Sequence, residues 1–119
     1  MRFSTVLIDK AIIRKRNEDE ARRLQCIERL FDILHNLSKS IFFNEAYVFG
    51  SVVKPHRFSE LSDIDIGFIG LKDEDFFKTM SFISSQIGVE VDIIQLEGHR
   101  LADKVKREGV IWTKKDLLY

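Results

Sequence analysis

One cysteine and one proline are all that 119 residues contain of either type, and only six glycines punctuate the chain. A lone Cys26 can close no internal disulfide and supplies no sulfur-ligated metal, so a reducing compartment is expected. Net charge is missing too, because 19 Lys and Arg balance 19 Asp and Glu. Long nucleic acids demand clustered basic residues, and such a partner is not expected here. No apolar run approaches the ~20 residues that span a bilayer. Arg2 is not followed by the apolar block and small-residue cleavage site of a secretory signal. A cytoplasmic chain with no membrane partner is the expectation. No repeat and no low-complexity tract is present. What remains is 45% hydrophobic and 32% charged, the balance of an ordinary globular domain.

Residues 9 to 37 read as a helix, since Leu24, Ile27, Leu30, Phe31, Leu34 and Leu37 recur at spacings of three and four. Arg14 to Glu20 is densely charged and reads either as a frayed first turn or as a break between two helices. Ala46 to Phe49 is aromatic and β-branched and stops at Gly50-Ser51, a strand running into a turn. Residues 52 to 61 lack periodicity and predict a loop opened by a short helical turn. Asp63 to Ile69 predicts a second strand. Asp73 to Ile87 predicts a helix that buries Phe76, Phe77, Met80, Ile83 and Ile87, ended by Gly88. Val89 to Leu96 predicts a third strand. Gly98 to Glu108 predicts a short helix with Leu101 and Val105 inward and Gly109 at its C′ position. Val110 to Thr113 predicts a last strand. The order describes an α/β (α+β) domain over 1–119, a small mixed sheet of about four strands with helices packed on one face.

Ser62-Asp63-Ile64-Asp65-Ile66 is the informative stretch. Side chains in a strand alternate, so Asp63 and Asp65 share one face with Cα atoms roughly 7 Å apart. Two ionised carboxylates side by side repel, and no Arg or Lys within the strand compensates them. A divalent cation is the economical counter-charge, and an all-oxygen ligand set favours a hard ion such as Mg²⁺. Asp92 repeats the pattern inside the apolar Val89 to Ile94 run. If that strand neighbours the first, three carboxylates gather, a cluster that suits two-metal phosphoryl or nucleotidyl transfer. Glu90 shares its face and reads as structural or at the rim. Gly50-Ser51 supplies a turn where backbone and hydroxyl can approach a phosphate.

Strand, Gly-Ser, loop, Ser-Asp-Ile-Asp-Ile and a later Asp in an apolar strand together resemble the polymerase-β-type nucleotidyltransferases. Over residues 43 to 112 the chain resembles the minimal nucleotidyltransferase group, often encoded beside a HEPN-domain protein. The resemblance implies a motif-bearing core at 43–112 behind a leading helical segment at 1–40, in the nucleotidyltransferase fold. It implies ATP as substrate, with Gly50 and Ser51 at the β- and γ-phosphates and Lys54 near the triphosphate. It implies two Mg²⁺ ions, with Asp63 and Asp65 ligating both, and Asp92 ligating one and helping to activate the acceptor hydroxyl. The implied activity is AMP transfer to a hydroxyl of a partner protein, the product of an adjacent gene, with this chain as antitoxin of a HEPN ribonuclease toxin. The loop between Ser51 and Asp63 is one residue longer than usual in the group, and Pro55 stands where a Gly is common. Two alternatives accompany this reading: a binding module that masks its partner without catalysis, and nucleotidyl transfer to a small molecule or an RNA 3′ end. A homo- or hetero-oligomer would supply the acceptor groove that a chain of this length lacks.

Other residues read more plainly. His35, His56 and His99 fit packed or surface positions, with a phosphate contact the alternative for His56. Cys26 fits the core. Phe42, Phe43 and Phe49 also read as core, and a surplus among ten phenylalanines, with Trp112, could form a contact patch. The charged run Lys10 to Arg23 reads as a solvated helix face, with partner binding as its alternative.

Overall fold

The computed structural model describes the backbone of residues 2–55 and 64–113, and the side chains from residue 10 onward within those ranges. Helix α1 runs unbroken from Arg2 to Leu37, so the charged stretch 14–20 is neither a frayed turn nor a break. Ion pairs along the helix, Lys15 with Asp19 at 3.2 Å and Arg22 with Asp19 at 3.7 Å, hold its charged turns together. Its buried stripe is Leu30, Ile33, Leu34 and Leu37. Leu24, expected on that stripe, is 50% exposed, and the buried residue at that level is Arg23. One residue is 100° on a helix, so the stripe passes Leu24 by.

Four strands follow: β1 (Glu45–Phe49), β2 (Ile64–Ile69), β3 (Val91–Gln95) and β4 (Val110–Thr113). They form one mixed sheet in the order β3-β2-β1-β4. β1 lies antiparallel to both β2 and β4, while β2 and β3 are parallel. A parallel pair needs a crossover, and helix α2 (Phe76–Ile87) supplies it. Gly88, in the left-handed conformation at φ 78°, ends α2, as the sequence predicts. The short helix α3 (Ala102–Glu108) connects β3 to β4.

Helices α1 and α2 cover one face of the sheet and enclose the main core, where Ala46, Val48, Ile64, Ile66, Phe68, Val91 and Ile93 meet the α1 stripe and Ile83. Phe43 is wholly buried and fixed by Phe68 and Trp112, with ring centroids at 5.1 and 5.0 Å. Trp112 is 1% exposed, a core residue rather than part of a contact patch. Phe42 is 53% exposed, because the chain turning into β1 can direct only one of two adjacent rings inward. Phe77, expected inside, is 73% exposed for the same reason as Leu24: Phe76, Met80, Ile83 and Ile87 form the inward stripe. On the other face a smaller cluster joins Tyr47, Leu96 and Val105, with Phe49, Ile69 and Ile94 packed against it.

Gly109 does follow α3, but with an extended φ of −78° rather than a left-handed one. Its requirement for glycine is closeness instead: a Cβ there would sit 2.7 Å from the Val105 carbonyl oxygen and 3.1 Å from that of Val48. Among the described residues no helix is long and apolar enough to cross a membrane.

Candidate functional site

β1 delivers the chain to a tight turn. Gly50 has φ 88° and ψ −156°, outside what L side chains adopt with ease, and Ser51–Val53 then makes one turn of 3-10 helix. The Val53 amide donates to the Gly50 carbonyl at 3.3 Å and the Lys54 amide to that of Ser51 at 3.1 Å. The turn is thus closed on itself, with Ser51 half-buried and Lys54 exposed.

Asp65 lies on β2 with Phe49 of β1 as one register partner and Asp92 of β3 as the other. Ile64 and Ile66 point into the main core, so Asp65 emerges on the opposite face, and Asp92 does likewise between Val91 and Ile93. Register partners on adjacent strands are about 4.8 Å apart. The two carboxylates therefore stand side by side, Asp65 half-buried and Asp92 exposed. A Cβ added to Gly50 would lie 2.5 Å from Asp65 Oδ2. The Gly50 backbone and the Asp65 carboxylate are in contact because nothing separates them.

Of the residues singled out in the sequence, the fold brings Gly50, Asp65 and Asp92 to one end of the sheet, with Ser51 and Lys54 following Gly50. Asp63 and His56 lie outside the described residues. Glu90 is exposed and precedes β3. Among the described residues no group of three potential metal-ligating side chains forms, since Asp65 and Asp92 make a pair. Beside the turn a cleft of about 110 Å³ is lined by Phe49, Gly50, Val53 and Lys54 on one side and Leu101, Lys104, Val105 and Glu108 on the other. Leu101, expected inward, is 38% exposed and forms part of that wall, because α3 starts one residue after it.

Arg23 was hidden in the charged run. It is 7% exposed, its guanidinium pairs with Glu20 at 2.6 Å, and Nη1 donates to the Val52 carbonyl at 3.2 Å. The hydrogen bond that it donates to Glu20 holds its pKa above the ordinary value, against the effect of burial. Helix α1 is thereby tied to the turn that follows Gly50. The signal in the sequence is spacing: Arg23, Ile27, Leu30, Leu34 and Leu37 form a stripe on which the first member is a cation. Tyr47 contributes to the lower cluster, its phenol pushed up by burial and, secondarily, by Glu45 at 3.3 Å.

Residues 28–117 match the polymerase beta nucleotidyltransferase family. A solved structure described as a minimal nucleotidyltransferase superimposes with a TM-score of 0.59 at 26% identity, covering 74% of this chain and 93% of that one. A nucleotidyltransferase structure from Sulfolobus solfataricus superimposes with a TM-score of 0.51 at 28% identity, covering 84% of this chain and 88% of its own. No protein of curated function matches the chain.

Proposed function

Starting from the fact that this chain belongs to the polymerase beta nucleotidyltransferase family, we propose that it transfers AMP from ATP to a hydroxyl of a partner protein, as antitoxin of a HEPN ribonuclease encoded beside it. The observation that carries the chemistry is the register of Asp65 with Asp92 directly beside Gly50. Two carboxylates so placed repel unless a cation separates them, and their all-oxygen character suits magnesium.

Each residue has a part. Gly50, with no side chain, lets a phosphate approach the backbone, and the Ser51 hydroxyl can donate to its oxygens. Lys54 adds positive charge at the end of the same turn. Asp65 and Asp92, with Asp63 from outside the described residues, would hold magnesium, which neutralises the triphosphate and lowers the pKa of the attacking hydroxyl. In the reaction the acceptor oxygen bonds to the α-phosphorus and pyrophosphate departs, while Asp92, exposed on the edge strand β3, would take the hydroxyl proton. In this reading the acceptor hydroxyl is carried by another chain, which would approach the small cleft at the turn, whose far wall is α3.

The test is incubation with α-labelled ATP, Mg²⁺ and the product of the adjacent gene. Label on that product with the wild-type chain, absent with Asp65→Asn and with Asp92→Asn, is the expected result. Neutralisation of the partner with no label in any form assigns a masking module instead. Label on an added aminoglycoside alone assigns a small-molecule acceptor.

A further inference from the structure

Among the described residues nothing buries α1 between residues 10 and 18. Residues 10 to 18 are all exposed, and burial begins with the half-buried Asp19 and Glu20. The molecule measures 62 × 28 × 27 Å, so the helix stands out from the sheet as a rod. An isolated helix of about 12–15 residues is marginal in water, and such a rod calls for a neighbour.

Its surface says which neighbour. At 3.6 residues per turn, Ile13, Asn17, Ala21 and Leu24 fall within about 80° of one another, roughly 120° from the stripe that enters the core. All four are exposed, Ile13 at 57% and Leu24 at 50%. Charged residues flank this stripe in a fixed order. Arg14 and Glu18 lie on one flank, Arg16 and Glu20 on the other. Arg14, Arg16 and Glu18 make no ion pair among the described residues.

We infer that α1 pairs with α1 of a second copy of this chain, antiparallel, about a two-fold axis at Asn17. An antiparallel two-fold sets like flank against like flank and reverses direction. Arg14 then meets Glu18 of the second copy, and Glu18 meets its Arg14. Ile13 covers Ala21 of the other helix, and Leu24 lies under the aliphatic stem of Lys10. A parallel pair would set one flank against the other at the same height. Arg14 would then face Arg16, like charge against like, so the charge order favours the antiparallel arrangement. An Asn at the centre of an otherwise apolar stripe fixes register, as buried Asn does in helical pairs.

Sedimentation of the full chain at high micromolar concentration and low salt is expected to show a dimer that weakens as salt rises. Arg14→Glu and Glu18→Arg should each weaken it about tenfold or more, and an equimolar mixture of the two should restore it, because the mixed pair recreates both contacts. In a Cys26→Ser background, N17C should form an oxidised cross-linked dimer, since facing Cα atoms at a helix crossing lie within disulfide reach. K10C should not, because its two copies would be about 20 Å apart. A monomer under all these conditions, equal cross-linking of K10C and N17C, or a mixture that fails to restore association overturns the inference. None of these residues belongs to the Gly50–Asp65–Asp92 site, so the outcome is independent of the proposed transferase activity.

Discussion

Gly50 and Arg23 show how much of the site depends on single side chains, or on the lack of one. A methyl group at position 50 meets Asp65 Oδ2 at 2.5 Å and sits at a φ of 88°. Gly50→Ala should cost about 1–3 kcal/mol of stability, the usual range for a residue forced into such backbone. The larger loss should be in nucleotide binding, because relief of the clash moves either the turn or the carboxylate. Urea unfolding together with a nucleotide titration checks both parts. Arg23→Ala leaves the Val52 carbonyl and the Glu20 carboxylate without their guanidinium, at a cost of about 1–3 kcal/mol. Since Arg23 touches the turn and not the carboxylates, KM for ATP should rise more than kcat falls. Tyr47 sets an alkaline limit. Its folded pKa lies above the free value near 10, so its contribution to stability is complete below that value and is lost as pH rises through the folded pKa. Tyr47→Phe should therefore flatten the alkaline limb of a stability-against-pH profile and leave neutral pH little changed.

Asp65 and Asp92 acquire meaning at the scale of the strands. Like charges opposite one another across a sheet destabilise it by up to about 1 kcal/mol. Asp92→Asn should raise the melting temperature slightly in the absence of divalent ions, and, on the proposed function, should abolish a further rise expected of the wild-type chain with Mg²⁺ and ATP. A differential scan with and without both ligands reads the two effects separately. This pairing was only half legible in the sequence. Period-two alternation around Ile64-Asp65-Ile66 and Val91-Asp92-Ile93 fixes which face each carboxylate takes, and both emerge opposite the core. Adjacency is another matter, because strand order in a sheet follows from crossovers such as α2 and from no local pattern. Helix positions failed for a related reason. Leu24 and Phe77 sit one residue from the true inward stripes, and an apolar side chain does not announce whether anything lies opposite it. Arg23 failed in reverse, since a cation within a charged run conceals its place on an apolar stripe. Phe49, Gly50 and the turn were legible because β-branched and aromatic residues halted by Gly-Ser leave little else for the backbone to do.

At the scale of the whole molecule, the radius of gyration of 17.0 Å exceeds the ~13.5 Å that a compact chain of this length would have. The excess belongs to α1, whose second half is pinned by Leu30, Leu34 and Leu37 and by Arg29 donating to the Gln86 carbonyl at 2.7 Å. One helix therefore spans two environments. Amides between residues 24 and 37 should exchange only through opening of the whole core, with protection equal to the global stability. Those between 10 and 22 can fray without disturbing the sheet, so their protection depends on what covers them. If a second α1 covers them, their exchange should slow as protein concentration rises, roughly in step with the dimer fraction, while the 24–37 amides stay unchanged. Hydrogen exchange across a concentration series, read peptide by peptide along α1, tests this directly. Protection that is uniform along the helix and indifferent to concentration would mean that the rod is stabilised from within the chain, and the case for a second copy would be lost.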